Sequence, residues 1–381
     1  MSARPIMPYL LAGSLAAAVV GVLAGPGPDA ETQASLAAAS GVPAAPTQRA
    51  AGQLTAAVTA AQDSPFAPVA SGGITLAFGG DVHFEGVVRS RLSADPGSVL
   101  GAVAGQLRAA DVAVVNLETP VTERGTPAAK QFVFRAPASA FLALRSAGVD
   151  AVTVANNHGL DYGEPGLADT LTAGRAAGVA VVGGGRDEAS AFAPFVATVR
   201  GQRIALIGAT QVLDDQLAEA WSAGPAKPGL ASAKHLAVLL RAVREARHAY
   251  DTVVVYLHWG RELAGCPTAD QRTLAAQLAA AGADVVVGSH AHVTLGAGYL
   301  GHTYVDYGLG NLAFYTHSAD ATARAGVLTL TVRGHAVTGA VWRPTIIVAG
   351  APVPLTGFPG REATRAHDRQ RACTGLAASA G

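Results

Sequence analysis

Short apolar runs rich in β-branched residues recur along the chain between residues 74 and 288. Consecutive apolar positions are typical of strands that are buried on both faces of a sheet. The six runs cover residues 74–80, 111–117, 150–155, 203–208, 252–258 and 284–288. The pattern therefore predicts a sheet core built largely from buried strands.

Alanine-rich stretches at residues 138–147, 164–177, 232–250 and 268–281 separate several of these runs and predict helices. In the last stretch, Leu274, Leu278 and Ala281 recur at spacings of four and three, which marks a buried stripe. Beyond Gly301, extended segments at 302–307, 326–332 and 336–344 resemble sequential antiparallel strands. The pattern predicts a layered α/β fold with mixed sheets, and periodicity leaves open whether there is one sheet or two.

The N-terminal segment, residues 1–28, is predicted to be an export signal. Arg4 precedes an apolar run over residues 6–24, close to the roughly 20 residues that cross a bilayer. A cleaved signal peptide and a retained membrane anchor both fit, so we expect an extracytoplasmic protein, secreted or anchored to the membrane.

The rest of the chain is predicted to contain a linker, a domain and a tail. The composition of residues 29–72 predicts a disordered Ala/Pro/Gly linker. Residues 73–350 predict the folded domain, and the prolines of residues 351–381 predict an irregular tail.

Composition narrows the class of protein. The chain carries 27 basic and 27 acidic residues, so it lacks the basic excess typical of nucleic-acid binders. With two cysteines, the chain has no thiolate zinc site. In an oxidising compartment, Cys266 and Cys373 favour one disulfide, with two free buried thiols as the alternative.

Metal-binding side chains follow five of the predicted strands. Ligands collect beyond the carboxyl ends of strands in open α/β sheets. The donors are Asp81, His83, Glu118, an asparagine of the pair Asn156-Asn157, His258, His290 and His292. Alternation along an extended segment would point Asp81 and His83 the same way, and likewise His290 and His292. One such residue has an ordinary structural explanation, but their repetition at one edge predicts a metal cluster.

This number of donors suits two divalent metal ions better than one. Two-metal hydrolases hold their ions about 3.5–4 Å apart and clamp the attacking and leaving oxygens between them. Mixed oxygen and nitrogen donors suit Mn, Fe or Zn, and the sequence does not choose among these metals.

Seven motifs resemble those of the capsule-synthesis protein CapA family, within the calcineurin-like metallophosphoesterase superfamily. In chain order they are GGDVHFEG, NLETPVT, FRAP, ANNHGLDYG, HWGRE, GADVVVGSHAHV and YGLGN. The resemblance covers residues 74–344. It implies a metallophosphatase-like four-layer α/β sandwich with mixed β-sheets flanked by helices. It also implies a part in poly-γ-glutamate capsule synthesis and export.

The resemblance further implies roles for the donors. Asp81, His83 and His292 would bind the first ion, and Asn157, His258 and His290 the second, with Glu118 bridging the two. The superfamily usually has Asp at the bridging position. The longer side chain of Glu118 would shift the second ion, which argues against ordinary phosphatase activity.

His158 would be the general acid that protonates the leaving group. Asp161 would orient His158 through a hydrogen bond, with a turn residue before Tyr162 as the alternative for Asp161. Arg135 and Arg261 are predicted to bind an anionic substrate, because arginine pairs bidentately with carboxylates and phosphates. Structural surface arginines are the alternative, and Lys130 is a weaker candidate for the same role.

The leading hypothesis is a dinuclear-metal-dependent hydrolase acting in the synthesis, release or attachment of an anionic envelope polymer. The bond would be a phosphoester or an amide. A first alternative is a non-catalytic accessory subunit that binds polymer for a membrane synthase or exporter. A second is a general phosphodiesterase or nucleotidase.

Overall fold

The computed structural model describes residues 72–316 and 320–381. The predicted export segment and all but the last residue of the predicted linker lie outside these residues. In the part that is described, no helix is both long enough and apolar enough to cross a membrane.

The described residues form sixteen strands, whose lengths range from two to thirteen residues. They are β1 (Ile74–Val82), β2 (Val112–Leu117), β3 (Ala151–Thr153), β4 (Ala180–Val182), β5 (Gly184–Gly185), β6 (Phe195–Val199), β7 (Gln202–Thr210), β8 (Gly229–Leu230), β9 (Thr252–His258), β10 (Val285–Ser289), β11 (Ala297–Leu300), β12 (Thr303–Asp306), β13 (Asn311–Ala313), β14 (Arg324–Arg333), β15 (Ala336–Val348) and β16 (Ala351–Pro354).

The same residues form nine α-helices. They are α1 (Val87–Ala94), α2 (Ala104–Arg108), α3 (Ser139–Ala147), α4 (Gly163–Ala177), α5 (Glu188–Ala191), α6 (Asp215–Trp221), α7 (Leu236–Ala249), α8 (Ala269–Ala281) and α9 (Gly357–Gln370). All the strands and helices predicted from the hydrophobic pattern are present, with boundaries that differ by a few residues.

The strands form two large mixed sheets and one small ribbon. The first sheet has the order β16-β15-β14-β1-β2-β3-β4, with β13 beside β1, and the second has the order β11-β12-β10-β9-β7-β6. Strands β1 to β4 run parallel, as do β7, β9, β10 and β12. This arrangement resolves the choice between one sheet and two that periodicity left open. It also separates β12, which joins the second sheet, from β14 and β15 in the first.

Alternation along the strands builds a four-layer sandwich. Leu76 and Phe78 of β1 pack against Val254 and Tyr256 of β9 in the core between the two sheets. The alternate residue Ala77 faces the core under α1, α3 and α4. The outer face of the second sheet packs against α7 and α8. The four-layer α/β sandwich implied by the family resemblance is confirmed.

The prediction of an irregular C-terminal tail was wrong. After β16, the chain forms the fourteen-residue helix α9. Pro359 lies in the first turn of α9, where a backbone N–H has no partner within the helix and its loss costs little. Pro352 and Pro354 lie on β16, an edge strand of the first sheet, where proline is tolerated.

A disulfide between Cys266 and Cys373 joins the segment after α9 to the loop after β9. Their Cα atoms are 5.9 Å apart, and 107 positions separate them in the sequence. The predicted pairing is confirmed, and it fixes the C-terminal segment to the folded domain.

Protein recovered without reductant is expected to show no free thiol in a titration under denaturing conditions. Reduction should lower the free energy of unfolding by about 2–4 kcal/mol, because the cross-link restricts the unfolded chain. A double variant, Cys266→Ser with Cys373→Ser, is the control and should not respond to reductant. Two titratable thiols in unreduced protein would contradict the bond.

Asp306, at the end of β12, is fully buried. One carboxylate oxygen accepts a hydrogen bond of 3.1 Å from the N–H of Gly308, and the other has no hydrogen-bond partner among the described residues. Burial raises the pKa of Asp306 to about 7. His367 of α9 lies 4.0 Å away, and burial lowers its pKa to about 4, so it supplies little positive charge near neutral pH.

We expect the stabilising effect of Asp306→Asn to grow as the pH rises from about 4 to 7. In this range folded wild-type protein holds a proton that the unfolded chain has lost, so its free energy of unfolding falls with pH. The difference between variant and wild type should grow by at most about 1.4 kcal/mol per pH unit and level off above pH 7. Denaturant titrations at several pH values measure it. Asp368→Asn, on the exposed face of α9, is the control, and a pH-independent difference for Asp306→Asn would contradict the assignment.

Candidate metal centre

The candidate centre lies where strands of the two large sheets end. Parallel pairing places Asp81 of β1 beside Asn116 of β2, and Ser289 of β10 beside His258 of β9. The side-chain nitrogen of Asn116 lies 3.2 Å from Nδ1 of His258, which joins the two sheets at this edge. The sequence-predicted convergence of strand ends is thus present in the fold.

Two sets of donor atoms lie close enough together to hold a metal ion, and they share Glu118. One set is Glu118, His290 and His292, and the other is Asp81, Glu118 and His258, with the atoms of each set within 4.8 Å of one another. These two sets differ from the assignment of ligands to two ions that the family resemblance implies. In both assignments, Glu118 is the carboxylate that the two sets share.

Asn157 completes the part of the cluster around His258. Nε2 of His258 lies 2.8 Å from Oδ1 of Asn157, 3.1 Å from Nδ1 of His290 and 3.6 Å from Oε1 of Glu118. Nδ1 of His258 lies 3.0 Å from the hydroxyl of Ser289. One ring nitrogen of His258 is therefore held by the scaffold and the other faces the donors, as is common for metal-binding histidines.

Asp81 and His292 lie together on the other side. Nδ1 of His292 lies 3.3 Å from Oδ2 of Asp81 and 2.8 Å from Oδ1 of Asn311. The backbone N–H of His290 donates to Oδ2 of Asp81 at 3.2 Å. Asn311, in the YGLGN motif, thus orients His292.

His83 stands apart from both donor sets. Its Nε2 accepts a hydrogen bond of 3.0 Å from the backbone N–H of Tyr315, and its Nδ1 has no partner among the described residues. Its ring stacks on Phe314 with centroids 3.8 Å apart. The structure leaves His83 next to the centre with neither nitrogen in a donor set, so its role as a ligand stays a prediction.

The backbone at His290 and His292 is not the extended segment that the alternation argument assumed. These residues have φ angles of 89° and 56°, a region that non-glycine residues seldom adopt. Strand β10 ends at Ser289, and a turn then carries the two imidazoles to the centre. Strained backbone of this kind is concentrated at functional sites.

His158 and Asp161 form a buried pair beside Asn157. Nδ1 of His158 lies 2.6 Å from Oδ2 of Asp161, and the backbone N–H of Phe134 donates to the same oxygen at 2.7 Å. The other oxygen of Asp161 lies 2.8 Å from Nζ of Lys130. Asp161 therefore orients His158, and Nε2 of His158 is the nitrogen left to exchange a proton.

Lys130, the weaker candidate for substrate binding, has a buried position that the sequence did not predict. Its side chain is 6% exposed, and its ammonium group donates to the backbone carbonyl of Asn157 besides pairing with Asp161. It also lies 5.0 Å above the ring of Trp221. Lys130 thus supports the polypeptide around Asn157 and His158. Its ammonium group is buried in these contacts and does not face solvent, where a substrate would bind.

A network of amides also escaped prediction. Asn116 donates to Oδ1 of Asp81 at 2.8 Å, and Asn156 donates to Oδ1 of Asn116 at 2.9 Å. The side-chain oxygen of Asn156 accepts from the backbone N–H of His158 at 2.9 Å. The signal in the sequence was an asparagine at the end of an apolar run, two positions before Glu118 and one position before Asn157.

The two predicted substrate arginines lie near the centre in different settings. The guanidinium of Arg135 stacks over the ring of Tyr162 at 4.7 Å. Arg261 is exposed in the loop after β9, and the N–H of Leu263 in that loop donates to the carbonyl of Ala291 at 2.9 Å. The loop therefore lies against the segment that carries His290 and His292. The substrate roles of Arg135 and Arg261 stay predictions.

Burial governs the electrostatics of the cluster. Burial, and next the neighbouring Asp81, raises the pKa of Glu118 well above its usual value. Burial lowers the pKa of His258 strongly and that of His290 to about 3. Burial also opposes a charge on His292, but Glu118 and Asp81 outweigh it and raise the pKa of His292 to about 10. Of the three imidazoles around Glu118, His292 is thus the one whose pKa is raised.

The environment of Glu118 shows whether the cluster is suited to metal ions. Its side chain is fully buried, and both carboxylate oxygens lack a hydrogen-bond partner among the described residues. An unpaired buried carboxylate is costly unless a proton or a cation accompanies it. Imidazole, carboxylate and amide donors gathered around such a group fit divalent transition metals.

The sequence model of the family described as "Bacterial capsule synthesis protein PGA_cap" matches residues 75–316. The match spans β1 to the segment after β13 and includes every candidate donor. The chain belongs to this family. The resemblance to capsule-synthesis proteins is therefore confirmed.

The chain is also similar to curated proteins named for PGA, capsule or polyglutamine synthesis. The chain is 32% identical over 210 residues to the PGA biosynthesis protein CapA of Bacillus subtilis, covering 54% of each protein. It is 32% identical over 221 residues to the capsule biosynthesis protein CapA of Bacillus anthracis, covering 56% of this chain and 52% of the relative. A probable polyglutamine synthesis accessory protein of Mycobacterium tuberculosis is 30% identical over 192 residues. The chain spans about half the length of the curated relatives it matches.

Two solved structures superpose on most of this family member, but with low TM-scores and low sequence identity. A hypothetical protein from Thermus thermophilus covers 71% of the chain and 98% of its own length, with a TM-score of 0.43 and 16% identity. A 5'-nucleotidase from Candida albicans covers 79% of the chain and 58% of its own length, with a TM-score of 0.45 and 11% identity. Neither structure bears on the chemistry of the site.

Glu118→Gln is expected to weaken metal binding by at least about 10-fold, because the shared carboxylate is lost. Without metal the variant should be at least as stable as wild type, since a neutral amide costs less to bury than a carboxylate. Elemental analysis and thermal unfolding with and without Mn²⁺ or Zn²⁺ measure both effects. Glu164→Gln, exposed on α4, is the matched control. Equal metal content in Glu118→Gln and wild type would refute the assignment.

Proposed function

We propose that this chain is a dinuclear-metal-dependent hydrolase that acts outside the cytoplasm in the synthesis, release or attachment of an anionic envelope polymer. The observation that carries the proposal is the buried carboxylate of Glu118, which two donor sets share and whose oxygens have no hydrogen-bond partner among the described residues. When bound, two divalent ions supply Lewis-acid activation of water and of the bond that is cleaved.

The residues of the chain supply orientation and proton transfer. Asp161 holds His158 through Nδ1, which directs Nε2 to give a proton to the leaving group. Phe134 stacks on the ring of His158 with centroids 4.0 Å apart, which fixes the plane of the imidazole. Arg135 and Arg261 are proposed to bind the anionic groups of the substrate. Such a site serves a phosphoester or an amide.

Two observations support the setting of this activity. The names of the Bacillus relatives refer to PGA and capsule biosynthesis, which fits an anionic polymer as substrate or product. The disulfide between Cys266 and Cys373 is of a kind that persists in oxidising compartments. Together with the apolar run at residues 6–24, it favours a protein exported from the cytoplasm and secreted or anchored to the membrane.

Replacing His158 with Ala is expected to lower kcat by about 10²- to 10⁴-fold, because the leaving group loses its proton donor. Metal content should be unchanged, since His158 belongs to neither donor set. Turnover is measured with a γ-linked glutamate oligomer, a phosphodiester and a phosphomonoester, so that the panel also identifies the bond.

His335→Ala is the matched control, because His335 is half exposed and lies outside the centre, 3.2 Å from Asp284. It should retain wild-type turnover. Equal turnover of His158→Ala and wild type, at equal metal content, would remove His158 from the mechanism. A preference for the phosphomonoester would favour a general phosphatase over a polymer hydrolase.

A second candidate function is that of a non-catalytic accessory subunit of a membrane synthase or exporter. It is favoured by the mycobacterial relative, whose name describes a probable accessory protein of polyglutamine synthesis. Copurification with membrane synthase subunits, together with no metal-dependent turnover on any member of the panel, would select this candidate.

A further inference from the structure

A groove with three arginines lies between α9 and the edge of the first sheet, and we name it the arginine groove. Its volume is about 550 Å³, within the range of small-molecule binding clefts. Its walls include Trp342, Arg343, Pro354, Leu355, Arg361 and Arg365. None of these residues was singled out as functional in the sequence.

The charge of the arginine groove departs from that of the whole chain. The chain has equal numbers of acidic and basic residues, yet the residues that line the groove include three arginines and no acidic residue. A cleft lined by one sign of charge concentrates ligands of the opposite sign. The groove therefore suits an anionic ligand.

Two of the three guanidinium groups have no carboxylate partner. Arg365 pairs with Glu362 at 2.6 Å. For Arg343 and Arg361, the structure of residues 72–316 and 320–381 records no ion pair, and Arg343 donates one hydrogen bond of 3.1 Å to the hydroxyl of Thr329. Arginine binds carboxylates through two parallel hydrogen bonds, and these two side chains retain that capacity.

The walls of the groove are held in place before any ligand binds. His367 of α9 stacks on Trp342 with centroids 4.3 Å apart and ring planes 9° apart. Strand β16 pairs with β15 over four residues, and the disulfide at Cys373 anchors the segment that follows α9. A preformed site loses less entropy on binding than a mobile one.

The remaining lining is apolar. Trp342, Pro344, Pro354 and Leu355 line the groove together with the arginines, so a ligand would meet both cationic and apolar surface. A chain of carboxylates joined by methylene groups offers both kinds of complementary surface. Polyphosphate presents charge without aliphatic segments.

We propose that the arginine groove binds a segment of a carboxylate-bearing polymer, with Arg343 and Arg361 paired to its carboxylates. The inference rests on the proposed function for the identity of the polymer. The groove would hold one segment of the polymer at the edge of the first sheet while the metal centre acts on another segment of the same polymer.

The test uses the full chain and a fluorescent ten-residue γ-linked glutamate oligomer, with binding followed by anisotropy. Arg343→Gln combined with Arg361→Gln is expected to weaken binding at least about 10-fold and to flatten its dependence on salt. Arg145→Gln combined with Arg186→Gln removes the same charge from exposed positions elsewhere and should change affinity less than about 2-fold. Thermal unfolding checks that each variant is folded.

Arg343→Lys combined with Arg361→Lys keeps the charge but loses the planar fork, and its affinity should fall between those of the Gln pair and wild type. Unchanged binding by the Gln pair would overturn the proposal, as would equal weakening by the control pair. If the Gln pair fails to fold, Arg361→Gln alone decides the question by the same criteria, since its side chain is exposed on α9. Polyphosphate binding as tight as that of the glutamate oligomer would overturn the choice of a carboxylate polymer.

This experiment is separate from the test of the hydrolase. Binding is measured after treatment with chelator and needs no turnover, so loss of the proposed activity leaves it valid. Conversely, a chain that hydrolyses the glutamate oligomer but does not bind it through the arginine groove would refute this inference alone.

Discussion

The fully buried carboxylate of Glu118 sets the condition that the surrounding structure has to meet. Both of its oxygens lack hydrogen bonds among the described residues, and Asp81 is buried nearby. Two buried carboxylates must be balanced by protons or cations, or their ionisation would cost several kcal/mol each. His258, His290 and His292 converge on Glu118 and provide that balance only in part. The donors around Glu118 are therefore of the kinds that divalent ions bind, and such ions would supply the positive charge that two buried carboxylates need.

The two-sheet architecture explains how residues so distant in sequence reach Glu118. Strands β1 and β2 of the first sheet and β9 and β10 of the second end at one edge, where Asn116 links Asp81 to His258. Behind this edge the strands pack into a continuous apolar core between the sheets. Because that core fixes the strand ends, the donors need little reorganisation to hold an ion. Lys130, buried against Asp161, supports the adjoining loop.

Much of this was visible in the sequence, because buried parallel strands are continuous apolar runs and their polar ends stand out. The donors at positions 81, 118, 157, 258, 290 and 292 are brought together by strand ends and needed no knowledge of sheet order. What the sequence could not supply depends on long-range contacts. Lys130 lies in a loop without periodic pattern, and its burial follows from Asp161 and Trp221. Helix α9 was missed because Pro352, Pro354 and Pro359 were weighed without their positions, and only Pro359 lies in the helix.

The energetic cost of the centre favours a chemical role over a purely structural one. Replacing buried charged groups with apolar residues of similar volume is often neutral or stabilising, so a scaffold alone has no need of Glu118 and Asp81. His290 and His292 add backbone strain at positive φ, which costs about 1–3 kcal/mol for each residue. These costs occur at the same point, beside an oriented His158. A binding subunit would gain stability by losing Glu118 and Asp81, so the buried carboxylates support the proposal of a metal-dependent hydrolase over that of an accessory subunit.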